Sequence, residues 1–164
     1  MSLRDDLENL PGEVWQNEYV KIKPLSTLKD LIYAGYDCQL KEEQKELVSP
    51  FWFYIGRAYL FKEDNYPCII CNASDEPIGF INLAKWVGNG DAYTWGFYID
   101  KKYQGKGNGK HAAQLAVSIL KSANLQKQIK LSTEVSNTKA HALYTSMGFK
   151  KLPEMDGDDI VFGL

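Results

Sequence analysis

Several short segments of the chain are rich in β-branched and aromatic residues and are bounded by turn-forming residues. This composition is typical of β-strands. A turn at residues 74–77 joins two of them, which predicts an antiparallel hairpin. The predicted strands are residues 19–23, 68–72, 78–85, 92–99 and 128–135, with two more around a turn at 155–158.

Other segments repeat their apolar residues at helical spacing. The longest such pattern follows a glycine-rich stretch and predicts a helix with one buried face. Ser26 and Asn137 are suitable N-caps for two shorter helices. The predicted helices are residues 26–36, 41–61 with a break at Pro50, 107–123 and 137–148. Strands and helices follow one another in mixed order, which predicts an α/β protein of the α+β type, with a mixed sheet flanked by helices.

The length of 164 residues favours a single domain. We predict that this domain covers residues 18–164 and that residues 1–17 form an N-terminal extension. Nineteen basic and 21 acidic side chains give a net charge of −2, which shows no general electrostatic footprint for nucleic acid or anionic membranes. The sequence shows neither a signal peptide nor an apolar run of roughly 18 residues, so a cytoplasmic protein is expected.

Cysteine and histidine give no sign of a disulfide framework or a metal site. The three cysteines are odd in number. Cys68 and Cys71 are three residues apart on a predicted strand, so their side chains are expected on opposite faces. His111 and His141 lack a ligand pattern and are predicted to be exposed on helices. The sequence therefore predicts no metal.

The glycine-rich stretch from residue 98 to residue 110 links a predicted strand to a predicted helix. Such a loop turns backbone N–H groups toward an anion, and the helix N-terminus adds partial positive charge. A flexible glycine turn is the alternative. A Walker loop is excluded because His111 follows Gly109 and Lys110 where Ser or Thr is required. A dinucleotide fold is disfavoured because no acidic residue follows at the required distance.

Two motifs in order resemble the GNAT superfamily of acetyl-CoA-dependent N-acetyltransferases. Residues 104–109 (QGKGNG) match the superfamily signature Q/R-x-x-G-x-G/A. Residues 137–149 match its second pattern, N-x-x-A-x-x-L-Y-x-x-x-G-F. The resemblance runs from about residue 19 to the C-terminus. It implies a mainly antiparallel, twisted sheet, acetyl-CoA as cosubstrate and an amine as acceptor.

A closer resemblance is to the bacterial spermine/spermidine (diamine) acetyltransferases. It rests on residues 42–44 with Val48, 76–80, 93–95, 99–100, 103–107 and 131–134. The chain departs from this group at Gly96, where many relatives have Arg, and at Arg57, where an acid is expected. The resemblance implies a polyamine or diamine acceptor, although a cation at position 57 weakens polyamine binding.

The superfamily resemblance also implies roles for individual residues. Tyr144 protonates the departing CoA thiolate, and Glu134 is the candidate base for the acceptor amine. Glu43 and Trp95 are candidate acceptor-binding residues, and a backbone amide near Ile99 stabilises the oxyanion. The implied acetyl-CoA contacts are Phe97, Tyr98, Ile99, Gln104, Gly105, Lys106, Gly107, Asn108, Gly109, Lys110, Asn137 and Tyr144.

Three alternatives remain open from the sequence. The acceptor is a polyamine, or it is an aminoglycoside, an amino acid or a protein amine. A CoA-binding regulatory domain without turnover belongs to a different functional class. The acidic turn of Glu154, Asp156, Asp158 and Asp159 is interpreted as solvated rather than as a site for a polycation. Small acetyltransferases of this type often pair, so a homodimer is compatible with the resemblance.

Overall fold

A computed structural model describes residues 2–164 as five helices and seven strands. The helices are α1 (Leu3–Glu8), α2 (Leu28–Ile32), α3 (Phe51–Leu60), α4 (Asn108–Ala123) and α5 (Thr138–Ser146). The strands are β1 (Val20–Pro24), β2 (Asn65–Asn72), β3 (Pro77–Lys85), β4 (Ala92–Ile99), β5 (Gln128–Thr133), β6 (Lys150–Asp156) and β7 (Asp159–Gly163). A π-helical turn (Tyr33–Asp37) follows α2, and short 3₁₀ turns lie between other elements.

The seven strands form one sheet in the order β1-β2-β3-β4-β5-β7-β6. All neighbours are antiparallel except β4 and β5, which are parallel. The predicted hairpin is confirmed as β2 and β3, and the last two strands form a second hairpin. The structure thus confirms the prediction of a mixed, mainly antiparallel sheet flanked by helices.

Helices cover both faces of the sheet. On one face, α4 places Ala112, Leu115 and Ile119 in the main hydrophobic core. On the other, α3 and the residues around Cys38 pack against Phe80 and Tyr98. Alternation along the strands supplies side chains to both cores. Cys68 lies in the first core and Cys71 in the second, which confirms that the two thiols point to opposite faces.

The predicted helices differ from the observed ones in two places. Thr27, rather than Ser26, caps α2, because its hydroxyl accepts a hydrogen bond from the N–H of Asp30. Residues 41–61 contain less helix than predicted: a 3₁₀ turn at Glu42–Gln44 and then α3, with Pro50 as the N-cap of α3. Proline disfavours helical backbone in the residue before it, which explains the interruption.

Both histidines are half-buried rather than exposed. The ring of His111 stacks on Tyr19 with ring centroids 3.8 Å apart. The Nε2 atom of His141 lies 3.0 Å from the carbonyl oxygen of Glu134. Neither histidine belongs to a metal-binding group, since residues 2–164 hold no cluster of three or more His, Cys, Asp or Glu side chains arranged for one. Within the same residues, no helix is long and apolar enough to cross a membrane.

The segment before residue 18 contributes to the core. Leu3 and Leu7 of α1 are buried among core side chains, and α1 packs against α4. The division of the chain into an extension and a domain at residue 18 stays a prediction.

Replacing Leu7 by alanine is expected to lower the free energy of unfolding by about 2 kcal/mol, the lower end for a buried leucine, because a terminal helix can undock to relieve the cavity. Leu28→Ala is the matched control, since Leu28 is 71% exposed while Leu7 is fully buried. Urea denaturation measures both variants. Equal, small losses would contradict a structural role for α1.

Candidate functional site

The sheet opens between β4 and β5. These two strands pair only at Ala92 with Gln128 and at Tyr93 with Ile129. Beyond that point β5 continues against β7, while β4 keeps only β3 as its neighbour. The edge of β4 from Thr94 to Ile99 therefore has no strand beside it and borders a cleft. An unpaired strand edge offers backbone groups to an extended ligand.

A cavity of about 440 Å³, here called the narrow cleft, lies at the far end of this edge. Seven of the predicted cofactor contacts line it: Phe97, Tyr98, Ile99, Gln104, Gly105, Gly109 and Asn137. The other loop residues predicted as contacts, Lys106, Gly107, Asn108 and Lys110, belong to the same loop and the first turn of α4 but do not line the cleft.

The glycine loop fits a phosphate group. Gly105 and Gly107 have φ values of +76° and +83°, a left-handed conformation that glycine adopts without strain. A Cβ atom at Gly105 would meet nothing within 4 Å, so the space above the loop is open. Gly107 is the N-cap of α4 and no side chain caps that helix. The N–H groups of its first turn are therefore available to an anion.

Gln104 ties this loop to the opposite wall of the narrow cleft. Its side-chain amide donates to the carbonyl oxygen of Ile99 at 2.8 Å. It also forms a reciprocal pair of hydrogen bonds with the amide of Gln44, at 2.8 and 2.9 Å. The first residue of the glycine motif thus holds the 3₁₀ turn at Glu42–Gln44 beside the end of β4.

A second cavity of about 600 Å³, here called the wide cavity, continues from the narrow cleft. The two share the side chains of Leu47, Val48, Phe97, Asn137 and Lys139. Tyr144 and Trp95, predicted as catalytic and acceptor-binding residues, both line the wide cavity. Its charged lining consists of Arg57, Lys85, Lys139, Asp156 and Asp159.

Tyr144 is held in an aromatic cluster at the wide cavity. Its ring packs against Trp95 and Phe149, with centroids 6.2 and 5.6 Å away. Burial raises the pKa of Tyr144 to about 12, and the nearby indole of Trp95 partly offsets this. The phenol is consequently protonated at neutral pH and is available as a proton donor. The indole N–H of Trp95 is buried without a hydrogen-bond partner among residues 2–164.

Tyr54 explains the glycine at position 96. A Cβ atom at Gly96 would overlap the hydroxyl group of Tyr54, so the tyrosine occupies the space that a side chain at position 96 would need. Tyr54 is buried and lines the wide cavity from α3. The sequence alone did not reveal the contact between Tyr54 and Gly96, because the two residues are far apart in the chain. The only signal was glycine at position 96, where many of the resembling acetyltransferases have arginine.

Glu43 and Glu134, the acidic residues predicted to bind the acceptor and to act as the base, lie outside the wide cavity. Glu43 lines the narrow cleft instead, beside Gln44. Glu134 follows the end of β5, which stops at Thr133 rather than at the predicted residue 135, and its carboxylate accepts a hydrogen bond from Ser136. Neither glutamate shares a cavity with Trp95 and Tyr144.

The carboxylates that line the wide cavity are Asp156 and Asp159. The turn between β6 and β7 places them there, and it was interpreted from the sequence as solvated. Burial raises the pKa of Asp159, and the negative charges of Asp156, Glu134 and Asp158 raise it further. The run of acidic residues around Gly157 is visible in the sequence. The neighbouring sequence does not indicate that this turn faces the wide cavity.

These features agree with a comparison of the sequence with known families. Residues 28–149, about three quarters of the chain, match the acetyltransferase (GNAT) family. The chain belongs to the GNAT family. It is an acetyltransferase, and the GNAT fold binds acetyl-CoA. No curated protein matches this acetyltransferase by sequence.

The fold of this GNAT protein is similar to many solved structures. An acetyltransferase from Agrobacterium tumefaciens has a TM-score of 0.69 at 16% identity, over 91% of this chain and 92% of that one. RimJ from Mycobacterium smegmatis, in complex with CoA-disulfide, has a TM-score of 0.69 at 17% identity, over 88% and 81%. FdhC, a nucleotide-linked sugar GNAT, has a TM-score of 0.62 at 19% identity, over 89% and 86%. At such identities the similarity shows the shared fold.

Proposed function

We propose that this GNAT acetyltransferase moves an acetyl group from acetyl-CoA to a primary amine bound in the wide cavity. The observation that carries the proposal is the continuity of the narrow cleft with the wide cavity along the free edge of β4. One compartment ends at the glycine loop and the other contains Tyr144 and Asp159. A thioester held in the first can therefore meet an amine held in the second.

The cofactor arm lies along Phe97, Tyr98 and Ile99 in this proposal. Backbone groups on the free edge of β4 bind it, and a backbone amide near Ile99 stabilises negative charge on the thioester oxygen. The pyrophosphate lies over the N–H groups of the glycine loop. Asn137 caps α5 through its side-chain oxygen and also lines both cavities, which supports a double role.

The chemistry requires three proton transfers: one from the acceptor before attack, one to the leaving thiolate and one from the nitrogen after attack. The acceptor ammonium loses one proton before attack, because an alkylammonium with a pKa of about 10.4 has no free lone pair at neutral pH. Attack by the neutral amine forms the N–C bond, and collapse of the intermediate breaks the C–S bond and leaves a thiolate, which takes a proton from the Tyr144 hydroxyl. The nitrogen then releases its second proton, directly or through water, and this proton restores the Tyr144 hydroxyl. Asp159 takes the first proton from the amine, directly or through a water. Glu134, the base predicted from the sequence, is the competing assignment.

Replacing Tyr144 by phenylalanine is expected to lower kcat about 10- to 100-fold and to leave the acetyl-CoA affinity within about threefold. The loss is partial because water can protonate the thiolate in place of the phenol. Stopped assays of CoA thiol release give kcat, and calorimetry gives the affinity. Tyr103→Phe is the control, since Tyr103 precedes the glycine loop and is outside both cavities. Unchanged kcat in Tyr144→Phe would contradict the acid role.

The acceptor that the resemblance favours is a polyamine or a diamine. Asp156 and Asp159 support it, because carboxylates in the wide cavity attract ammonium groups. Arg57, Lys85 and Lys139 oppose it, because they repel the distal ammonium of a polycation. An amine that carries an anionic group is the second candidate, and Arg57 is the observation that favours it.

Thiol release from acetyl-CoA tests the proposed function with a panel of spermidine, spermine, putrescine, lysine, an aminoglycoside and a lysine peptide. Turnover with any of these amines, with the acetylated product verified by mass spectrometry, supports N-acetyl transfer. Turnover with polyamines alone supports the narrower assignment. Acetyl-CoA binding without transfer to any amine would overturn the proposal.

A further inference from the structure

Two half-buried charges of opposite sign line the wide cavity without a partner. Arg57 is on α3, and Asp159 begins β7 on another wall. Within residues 2–164, neither side chain forms an ion pair or a hydrogen bond. The three other charged side chains of the lining are exposed to solvent: Lys85, Lys139 and Asp156.

Most other shielded charges in this protein have partners, and within residues 2–164 half-buried Asp64 is the exception. Arg4 pairs with Glu8 and donates to the carbonyl oxygen of Asn65. Buried Lys130 pairs with Glu154 at 2.8 Å, and buried Asp30 pairs with Lys23 at 3.3 Å. Partial loss of hydration is costly for a charge without compensation, which is why such pairs are the rule. Arg57 and Asp159 differ from Asp64 because both line the wide cavity, and their lack of a protein partner there points to a ligand that supplies one for each.

The fold holds Arg57 at the cavity. Arg57 follows Tyr54 by three residues, so both side chains lie on the same face of α3. Tyr54 packs directly on the backbone of Gly96, which fixes that face of the helix against β4. Arg57 is thus anchored beside the strand where acetyl transfer is proposed, and it is not a free surface side chain.

We propose that the natural acceptor carries an oxyanion, a carboxylate or a phosphate, in addition to its amine. Arg57 binds the oxyanion, since a guanidinium offers paired N–H donors that match the geometry of carboxylate and phosphate. The ammonium of the same molecule faces Asp159. This inference rests on the proposed N-acetyl transfer, and it places an amine with an anionic group ahead of a bare polyamine as substrate.

Pairs of molecules that differ by one anionic group test the inference. Lysine and cadaverine differ only by a carboxylate, and phosphoethanolamine and ethanolamine only by a phosphate. Calorimetry measures binding of each to the protein saturated with CoA, which does not depend on turnover. We expect the anionic member of at least one pair to bind about 10- to 100-fold more tightly. A preference in the lysine pair would identify a carboxylate as the bound group, and a preference in the phosphoethanolamine pair would identify a phosphate.

Substitutions at position 57 then assign the preference. Arg57→Gln is expected to remove the preference for the anionic member of a pair. Arg57→Glu is expected to reverse this preference, so that cadaverine binds more tightly than lysine. Lys62→Gln removes the same charge from an exposed residue outside both cavities and is expected to keep it. If Arg57→Gln still prefers the anionic member of a pair, the inference is overturned. It is also overturned if, in both pairs, the wild-type protein binds the two members equally or binds neither.

Turnover separates this inference from the proposed function. Anion-dependent binding without acetyl transfer to any amine would overturn the proposed function and leave the binding role of Arg57 intact. Acetyl transfer at equal rates to lysine and cadaverine, with equal affinities, would keep the proposed function and overturn the inference.

Discussion

Replacing Gly107 by glutamate is expected to abolish measurable acetyl-CoA binding while the protein stays folded. Gly107 begins α4 with a φ of +83°, beside the N–H groups proposed to hold the pyrophosphate. A carboxylate about 4 Å from a phosphate charge costs about 4 kcal/mol near a protein surface, which corresponds to about 1000-fold in affinity. Calorimetry with acetyl-CoA measures the loss.

Gly107→Gln is the matched control because it has nearly the same shape and no charge. Both variants carry the strain of a side chain in the left-handed conformation, about 1–2 kcal/mol, and both bring a Cβ atom about 3.4 Å from the ring of His111. Their thermal unfolding should therefore be similar, and only the glutamate variant should lose binding completely. Added salt should narrow the difference between them. Equal affinities in the two variants would contradict an anion site at this loop.

The order of elements was predictable because its signals are local. The hairpin of β2 and β3, the helix after the glycine loop and the capped helix α5 depend on turn residues, periodicity and caps within about 20 residues of sequence. The sequence also indicates the glycine loop, since only glycine adopts its backbone conformation freely. The separation of β4 from β5 was not predictable in this way, because no pattern in either strand encodes where their pairing stops.

The walls of the wide cavity were not predictable in the same way. Glu43, which stays a predicted acceptor-binding residue, lines the narrow cleft, because the reciprocal amide pair of Gln44 and Gln104 draws its 3₁₀ turn to the glycine loop. Asp159 was interpreted as part of a solvated turn, since a run of acids around a glycine is usually solvated. Only the order of strands in the sheet brings that turn to the opening beside β4.

The same reasoning applies to Glu134 and Asp159 as competing bases. From the sequence, Glu134 lies on the predicted strand next to the cofactor strand and was the natural choice. In the structure, β5 ends before Glu134, and Asp159 lines the cavity that contains Tyr144. The two carboxylates still influence each other, because the charge of Glu134 contributes to the raised pKa of Asp159. Kinetics of both variants are therefore needed to separate them.

Asp159→Asn is expected to lower kcat/KM by about 100- to 10,000-fold, the range for loss of a general base. Asparagine has almost the same shape and cannot accept the proton. The folded protein should not lose stability at neutral pH: the pKa of Asp159 is raised, so the fold disfavours its ionised form, and a neutral side chain removes that cost. Normal thermal unfolding together with a large loss of activity would thus exclude misfolding as the cause.

The pH profile gives a second, independent test. A base acts only when it is ionised, so activity should fall as the pH decreases through the pKa of Asp159, which burial and neighbouring negative charges raise above its ordinary value. Asp156→Asn removes a nearby negative charge, lowers the pKa of Asp159 and should move the acidic limb of kcat/KM to lower pH.

Glu134→Gln should produce a similar shift of the acidic limb to lower pH, with little loss of maximal rate, if Glu134 acts only through its charge. If instead Glu134→Gln abolishes activity and Asp159→Asn does not, proton removal belongs to Glu134. The wide cavity would then bind the amine without deprotonating it, and Asp159 would serve only to hold the ammonium.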